Sequence, residues 1–363
     1  MRRKQKKRSV QQRVFVVLAV LVLVLGSLNI AKAKGLLIPE QPALAIENNV
    51  IHLADLTLEQ KIAQMVIVHG GLYNKEAFKS MQIGGIHLFA LQDGELYKDT
   101  INQFQTDMQI PFFVSSDLEG CLNPFSNFFS SPAARSISTI EQAFEKGKTD
   151  GAFLKELGFS LNFAPVVDLD DQIWRCRSFP GNAEHITELA RSYSEGLQGE
   201  GILATAKHYP GKTLVVNDPH KVLVSAEISS QDLLPYEQLI PGEDVGSIMV
   251  SHIIVSGAVD SSGVPSVVSL PVVGNLKEQY GGLIISDDTM MLGLRNFYDS
   301  VDELYVAVFR AGNDLIINFD EDPLEIYRMI QVVSAAVERG EISEEQIDAS
   351  VRKILTAKGF KVE

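Results

Sequence analysis

Gly282-Leu-Ile-Ile-Ser-Asp-Asp288 is a short apolar run that ends in two adjacent acids. A run of this length, bounded by Gly and polar residues, is typical of a buried strand in a parallel sheet. From residue 56 onward the same unit, an apolar run followed by an amphipathic stretch, occurs eight times. The runs are Gln64–Val68, Gly85–Phe89, Pro111–Val114, Leu161–Ala164, Ile202–Thr205, Gly246–Val250, Gly282–Ile285 and Asp314–Asn318. Eight strands that alternate with helices predict an α/β fold, a (β/α)8 TIM barrel.

The alternative architecture is a doubly wound open sheet. No Gly-rich phosphate fingerprint follows the first run, which argues against it. Between the runs, apolar residues recur at spacings of three and four, as helices require. The final helix is predicted to start at a capping box, Ser343-Glu-Glu-Gln346.

Composition limits the class of protein and the type of partner. The chain has 363 residues, of which 45% are hydrophobic and 21% charged, and only 2 are Cys. These values indicate a globular body with one large barrel or two ordinary domains. Residues 1–33 hold eight Lys or Arg and no acid, so residues 34–363 carry 24 bases against 46 acids, a net charge of −22. So acidic a body repels phosphates, which argues against DNA or RNA as a partner.

The N-terminus has the order of an export signal. A basic cluster precedes the apolar stretch 14–25, and the small-residue triplet Ala31-Lys-Ala33 follows it. Cleavage after Ala33 is slightly favoured over retention, in which residues 14–30 would attach the protein to the membrane. The sequence therefore predicts a leader or anchor at 1–33, a linker at 34–55 and a barrel at 56–363. In both cases the barrel lies outside the cytoplasm.

Reactive side chains follow five of the eight runs, where a barrel places its chemistry. They are Asp117 and Glu119, Asp168 and Arg177, Lys207 and His208, Ser251 and His252, and Asp287 and Asp288. Asp287 is a candidate catalytic carboxylate; the alternative is a helix cap, which Asp288 or Thr289 could supply instead.

Lys207 and His208 could donate hydrogen bonds to the hydroxyl groups of a polar ligand. Further along the same loop, Asp218 could orient His220 as a general acid and base. Taken alone, an Asp-x-His pair in a loop is more often a solvated turn. The chain contains neither a His-Glu-x-x-His metal motif nor a Gly-x-Ser-x-Gly elbow. No metal and no cofactor are therefore predicted.

Taken together, these motifs resemble glycoside hydrolase family 3, and more narrowly its bacterial β-N-acetylglucosaminidases. The resemblance extends over nearly the whole chain after the leader. It rests on 56–62, 83–89, Asp117-Leu-Glu-Gly120, 162–168, Arg177-Ser-Phe179, Lys207-His-Tyr-Pro-Gly211, Asp218-Pro-His220, Ser286-Asp-Asp288 and Ala311-Gly-Asn-Asp314.

The resemblance implies a retaining β-N-acetylhexosaminidase that removes terminal N-acetylglucosamine from peptidoglycan-type or other glycans. Asp287 would be the nucleophile, and His220, oriented by Asp218, would be the acid and base. The residues that hold the sugar would be Asp117, Arg177, Lys207 and His208, with Asp168 supporting them. Two alternatives stay open: a phosphorylase, in which phosphate replaces water, and an exported sugar-binding protein without turnover.

The chain departs from the family pattern at three positions that bear on substrate preference. Cys121 replaces a Gly, Phe125 replaces a sugar-binding Arg, and Lys212 replaces a His in the loop after the fifth run. Phe cannot supply the donor fork of an Arg. Cys121 and Cys176 would lie on neighbouring loops of an exported protein, which suggests a disulfide; the alternative is two buried thiols.

Overall fold

The computed structural model describes residues 2–33, 36, 38–39, 41–214, 217–218 and 221–363. Eight parallel strands form its central sheet. They are β1 Val66–His69, β2 Gly85–His87, β3 Phe113–Ser116, β4 Leu161–Asn162, β5 Leu203–Tyr209, β6 Ser247–Val250, β7 Leu283–Ser286 and β8 Ile316–Asn318.

The sheet closes into a barrel. Strands β1 to β7 pair in chain order, and β8 pairs with β1. A parallel bridge between Ile285 and Leu315 joins the two remaining edges, β7 and β8. The fold is therefore the (β/α)8 barrel that the sequence predicts, and each of the eight apolar runs overlaps a strand.

Helices surround the barrel. They are α1 Arg2–Ala33, α2 Leu58–Gln64, α3 Lys75–Met81, α4 Gly94–Gln105, α5 Ile140–Leu157, α6 Ala183–Gly199, α7 Ser230–Leu239, α8 Leu270–Gln279, α9 Leu292–Arg295, α10 Val301–Arg310, α11 Pro323–Glu338 and α12 Glu344–Ala357. Short 3-10 turns lie at Leu53–Asp55, Leu72–Asn74, Ala134–Ser136 and Ser266–Val268. Two pairs of short strands lie outside the barrel: Val50–Ile51 with Lys361–Val362, and Ser225–Ile228 with Ile254–Gly257.

The predicted starts of three strands lie two residues too early, at β1, β3 and β8. Gln64, which the sequence places in the first strand, is the last residue of α2. Its amide Nε2 donates to the carbonyl oxygen of Gln82, 2.6 Å away, and the strand begins at Val66. Ser343 caps α12 through the backbone N–H of Gln346. The reciprocal half of the predicted capping box is wrong, because the Gln346 side chain donates to Phe309 O instead.

Helix α1 differs from the other helices because it contains a long apolar segment that is exposed. Within α1, the segment Val14–Ala31 is long and apolar enough to cross a membrane. Its described side chains from Val14 to Ile30 are exposed rather than packed in the core.

Candidate active site

A cavity of about 290 Å³ opens at the carboxyl ends of the barrel strands. That volume is close to the ~300 Å³ at which small-molecule sites begin, which suits a single sugar ring. Charged and apolar side chains share its lining: Phe89, Asp117, Glu119, Leu122, Phe163, Trp174, Arg177, Lys207, His208, Met249, Asp287, Asp288, Met291, Ile317 and Phe319. Five of the predicted site residues, Asp117, Arg177, Lys207, His208 and Asp287, therefore meet at one cavity.

Asp287 directly follows β7, so the strand delivers its carboxylate to the cavity. Its Oδ1 accepts the backbone N–H of Asp288 at 2.8 Å. Asp288 itself holds the turn, because its Oδ1 accepts the N–H groups of Met290 at 3.0 Å and Phe319 at 3.2 Å. The helix cap that the sequence offered at Asp288 or Thr289 is not formed, since the N-cap of the next helix is Met291, and Asp288 holds the turn instead.

Asp117 follows β3 and is held ionised by its neighbours. Lys207 Nζ lies 2.7 Å from Asp117 Oδ1, and His87 Nε2 lies 3.5 Å from Oδ2. Burial by itself would raise the pKa of Asp117, but the charge of Lys207 and the contact with His87 outweigh it and lower the pKa to about 2. Burial lowers the pKa of His87 to about 4, so His87 is neutral at pH 7 and its contact with Asp117 is not an ion pair.

Glu119 binds both cations of the cavity. Arg177 donates to it twice, Nε to Oε2 at 2.7 Å and Nη2 to Oε1 at 2.8 Å, and Lys207 Nζ lies 2.6 Å from Oε1. Burial opposes the charged form of Glu119, yet Arg177 and Lys207 together lower its pKa. The same pairing raises the pKa of Arg177 and of Lys207 against the effect of burial. Asp117, Glu119, Arg177 and Lys207 are therefore all charged. The two negative charges of this cluster balance its two positive charges.

Asp168, which does not line the cavity, orients the imidazole ring of His208. Asp168 Oδ2 lies 2.7 Å from His208 Nδ1, and both side chains are buried. A carboxylate at Nδ1 places the proton there and leaves Nε2 to face a ligand as acceptor or donor. Asp168 does not line the cavity, so its position agrees with the supporting role that the resemblance implies.

The loop after β4 carries Arg177 and is organised around one carboxylate. Asp171 accepts the backbone N–H groups of Trp174 at 3.0 Å, Cys176 at 2.8 Å and Arg177 at 2.8 Å. The indole ring of Trp174 lies 4.7 Å from the Arg177 guanidinium carbon and lines the cavity. Cys176 is joined to Cys121 by a disulfide, with 6.1 Å between their Cα atoms. The predicted disulfide is confirmed.

Phe125 does not reach the cavity. It is fully buried in an aromatic cluster, with ring centroids 4.8 Å from Tyr97, 5.1 Å from Phe153 and 5.5 Å from Phe159. The side chain that replaces the family's sugar-binding Arg is thus part of the core, and the loop that carries it turns inward.

Lys212 anchors the beginning of the loop after β5. Its Nζ donates to Glu227 O at 2.6 Å and lies 3.4 Å from Asp232 Oδ2. Further along, Asp218 Oδ2 lies 3.2 Å from Lys221 Nζ, and Asp218 is not among the residues that line the cavity. His220 lies outside the described residues, so its pairing with Asp218 remains a prediction.

Three residues of the site were not assigned roles from the sequence: His87, Glu119 and Trp174. Glu119 was visible as a strand-end acid two residues after Asp117, but its pairing with Arg177 joins positions 58 residues apart. His87 lies inside the apolar run Gly85–Phe89, and the sequence analysis gave it no separate role. Trp174, the only Trp of the chain, lies in a loop with no periodicity to place it.

The arrangement places the carboxylate of Asp287 at the cavity wall, beside the ion-paired groups of Asp117, Glu119, Arg177 and Lys207. Asp117, Lys207 and His208 can bind hydroxyl groups, and the apolar side chains can pack on the faces of a ring. Among the described residues, no group of three or more His, Cys, Asp or Glu side chains could hold a metal ion. The Asp287 carboxylate beside these hydrogen-bonding groups suits covalent or acid–base chemistry on a polar ring.

Comparison with known proteins gives consistent results. Residues 57–357 match the model described as the glycosyl hydrolase family 3 N-terminal domain. The chain is 27% identical over 330 residues to the beta-hexosaminidase LpqI of Mycobacterium bovis, covering 84% of this chain and 83% of that protein.

Two solved structures resemble the barrel closely. A family 3 β-N-acetylglucosaminidase from Paenibacillus has a TM-score of 0.77 at 28% identity; the match covers 84% of this chain and 62% of that one. A family 3 glycosyl hydrolase from Mycobacterium smegmatis has a TM-score of 0.76 at 26% identity, covering 85% of this chain and 98% of that one. This chain thus spans less than two thirds of the Paenibacillus protein but nearly all of the mycobacterial one.

Proposed function

Because this chain belongs to glycosyl hydrolase family 3 and is a glycosidase of the β-N-acetylhexosaminidase type, we propose that it removes terminal N-acetylglucosamine with retention of configuration. The observation that carries the proposal is the placement of Asp287, whose carboxylate follows β7 into the cavity that Asp117, Lys207 and His208 share.

In the first step Asp287 attacks the anomeric carbon and forms a covalent ester, while the glycosidic oxygen leaves with a proton from His220. In the second step water attacks the same carbon, His220 takes a proton from that water, and the ester bond to Asp287 breaks. Asp218 orients His220 in both steps. This assignment to Asp218 and His220 rests on the Asp218-Pro-His220 motif.

Binding of the sugar falls to Asp117, Arg177, Lys207 and His208. Asp117 stays ionised, since its pKa is about 2, and so accepts hydrogen bonds from hydroxyl groups at any pH at which the enzyme is used. Lys207 supports this role, because its Nζ holds Asp117 and Glu119 in place.

The proposed substrate is a cell-wall glycan or a fragment of one. The basic N-terminus and the apolar segment Val14–Ala31 support export of the barrel. We place the leader or anchor at residues 1–33, the linker at 34–55 and the catalytic barrel at 56–363.

The test is release of para-nitrophenol from its β-N-acetylglucosaminide by residues 34–363, beside Asp287→Ala and His220→Ala. Turnover lost in both variants, and partly restored by azide in Asp287→Ala, supports the two roles. Asp299→Ala, an exposed acid in the loop before α10, is the matched control and should turn over like the wild type. Turnover retained by Asp287→Ala contradicts the proposal, and a sugar phosphate formed with added phosphate would make phosphate the acceptor.

A further inference from the structure

Two loops supply Asp117, Glu119 and Arg177 to the charged cluster of the cavity, Lys207 comes from β5, and one covalent bond joins the two loops. Asp117, Glu119 and Cys121 lie on the loop after β3, and Cys176 and Arg177 lie on the loop after β4. The disulfide is therefore two residues from Glu119 on one side and directly adjacent to Arg177 on the other. The ion pair between Glu119 and Arg177 spans the same two loops.

The backbone beside the disulfide adopts positive φ angles on both loops, at a glycine on the first and at a non-glycine residue on the second. Gly120 has a φ of 110°, and a Cβ there would lie 2.2 Å from Pro132 O. Arg175 has a φ of 59°, in the left-handed region that non-glycine residues seldom occupy. The hydrogen bonds from Cys176 and Arg177 to Asp171 hold the second loop, and the disulfide fixes it to the first.

We propose that the Cys121–Cys176 disulfide is a positioning element that fixes Arg177 on Glu119 and thereby shapes the sugar-binding side of the cavity. This inference rests on the function proposed above. The loss of a second sugar-binding Arg at position 125 makes the position of Arg177 more important, because Phe125 is buried in the core and supplies no donor.

The first test removes the bond in the pair Cys121→Ala and Cys176→Ala. If Arg177 binds sugar equally in the ground and transition states, KM should rise about tenfold while kcat stays within about twofold. Ile347→Val, a buried change in α12, is the control for lost stability and should leave KM unchanged. An unchanged KM in the double alanine variant overturns the proposal.

Chemical reduction gives the same test without mutation. Cys121 is exposed, so dithiothreitol can reach the bond; two electrons and two protons pass to the disulfide, giving two thiols and cyclic oxidised dithiothreitol. KM should rise on reduction and return on reoxidation, and the double alanine variant should not respond. Alkylation followed by mass measurement verifies that the disulfide has been reduced. An unchanged KM in the reduced protein contradicts the inference.

A double-mutant cycle separates positioning from general destabilisation. If Glu119→Gln and loss of the disulfide both act through Arg177, their effects on KM should be less than additive. Full additivity contradicts the proposal.

Hydrogen–deuterium exchange keeps the inference testable even if the wild type hydrolyses no glycoside. Reduction should accelerate exchange in 117–122 and 171–178 and leave α12 unchanged. Equal exchange in the oxidised and reduced protein would overturn the positioning role, whereas absent turnover would count only against the proposed function.

Discussion

Glu119 is the residue on which the charged cluster depends, because it binds Arg177 and Lys207 at the same time. Lys207 in turn holds Asp117. Removing one member of a buried, balanced cluster leaves the opposite charge without compensation, and that cost exceeds the net stability of the intact pair.

We expect Glu119→Gln to lower the free energy of unfolding by about 3–5 kcal/mol, since the guanidinium of Arg177 loses its charged partner in a buried site. KM should rise as well. Urea unfolding with a parallel assay measures both. Glu156→Gln is the matched control: Glu156 pairs with Lys98 at 2.8 Å on the exposed surface, and its loss should change little. Equal effects of the two changes would refute the role given to Glu119.

His87 should make stability sensitive to mild acid. The unfolded chain binds a proton at His87 near pH 6.5 and the folded chain only near pH 4, so stability falls as the pH drops from 6.5 to 4. A second decline follows toward pH 2, where Asp117, whose pKa is lowered to about 2, takes up its proton.

His87→Gln should flatten the decline between pH 6.5 and 4 and retain the one below it. The measurement is urea unfolding at intervals of half a pH unit. His185→Gln removes a half-buried histidine of α6 that does not line the cavity, and it should keep the wild-type pH dependence. A His87→Gln protein with the wild-type curve would show that burial of His87 has no such effect.

At the scale of the element, the course of the loop after β3 keeps the side chain at position 125 out of the cavity. Phe125 packs with Tyr97 of α4 and Phe153 of α5, so this part of the loop belongs to the core. The aromatic side chains gain stability from burial and edge-to-face contact. At the position where the family resemblance predicts a sugar-binding Arg, the loop therefore contributes to the packing beneath the cavity.

Restoring the family residue should cost stability rather than add activity. Phe125→Arg is expected to lower the free energy of unfolding by about 3–5 kcal/mol or more, because it removes a buried ring and buries a charge. Phe128→Arg, at a ring of the same cluster that is 39% exposed, should cost less. Urea unfolding measures the stability of both variants, and kcat/KM measures their activity. A stable Phe125→Arg enzyme with raised activity would contradict the assignment of this part of the loop to the core.

Strand ends were predictable at this scale and loop conformations were not. Asp117 and Asp287 follow strands, and the strand pattern places them because parallel strands share a carboxyl edge. Phe125 and Trp174 lie in loops whose course depends on contacts such as the Asp171 hydrogen bonds and the disulfide. Sequence alone identified the loss of an Arg at 125 but not the inward turn of its replacement.

The whole molecule combines a closed, acidic barrel with an N-terminal helix that has basic residues and a long apolar segment. The barrel class was predictable because eight apolar runs recur with helices between them. The sequence did not predict that Ile285 and Leu315 would form the closing bridge. It also did not predict pairs of residues far apart in the chain, such as Glu119 with Arg177. Those features depend on the three-dimensional arrangement of loops, which periodicity does not encode.

Full-length protein should be exported, and the barrel alone should remain active. We expect Val20→Asp with Leu23→Arg to block export, because each charge at the centre of the segment costs about 2.5–3.5 kcal/mol of insertion. Cell fractionation with an activity assay measures this. Conservative changes at the same positions, Val20→Leu and Leu23→Val, should have no effect. Export of the doubly charged variant would contradict the role of the segment.

The central claim is that Asp287 becomes covalently glycosylated during turnover. Incubation with a 5-fluoro glycosyl fluoride of N-acetylglucosamine, followed by digestion and mass spectrometry, tests it directly. We expect the peptide containing Asp287 to gain the mass of the fluorinated sugar and the Asp287→Ala protein to stay unlabelled. A label on another residue, or inversion of configuration in the first-formed product, would contradict it.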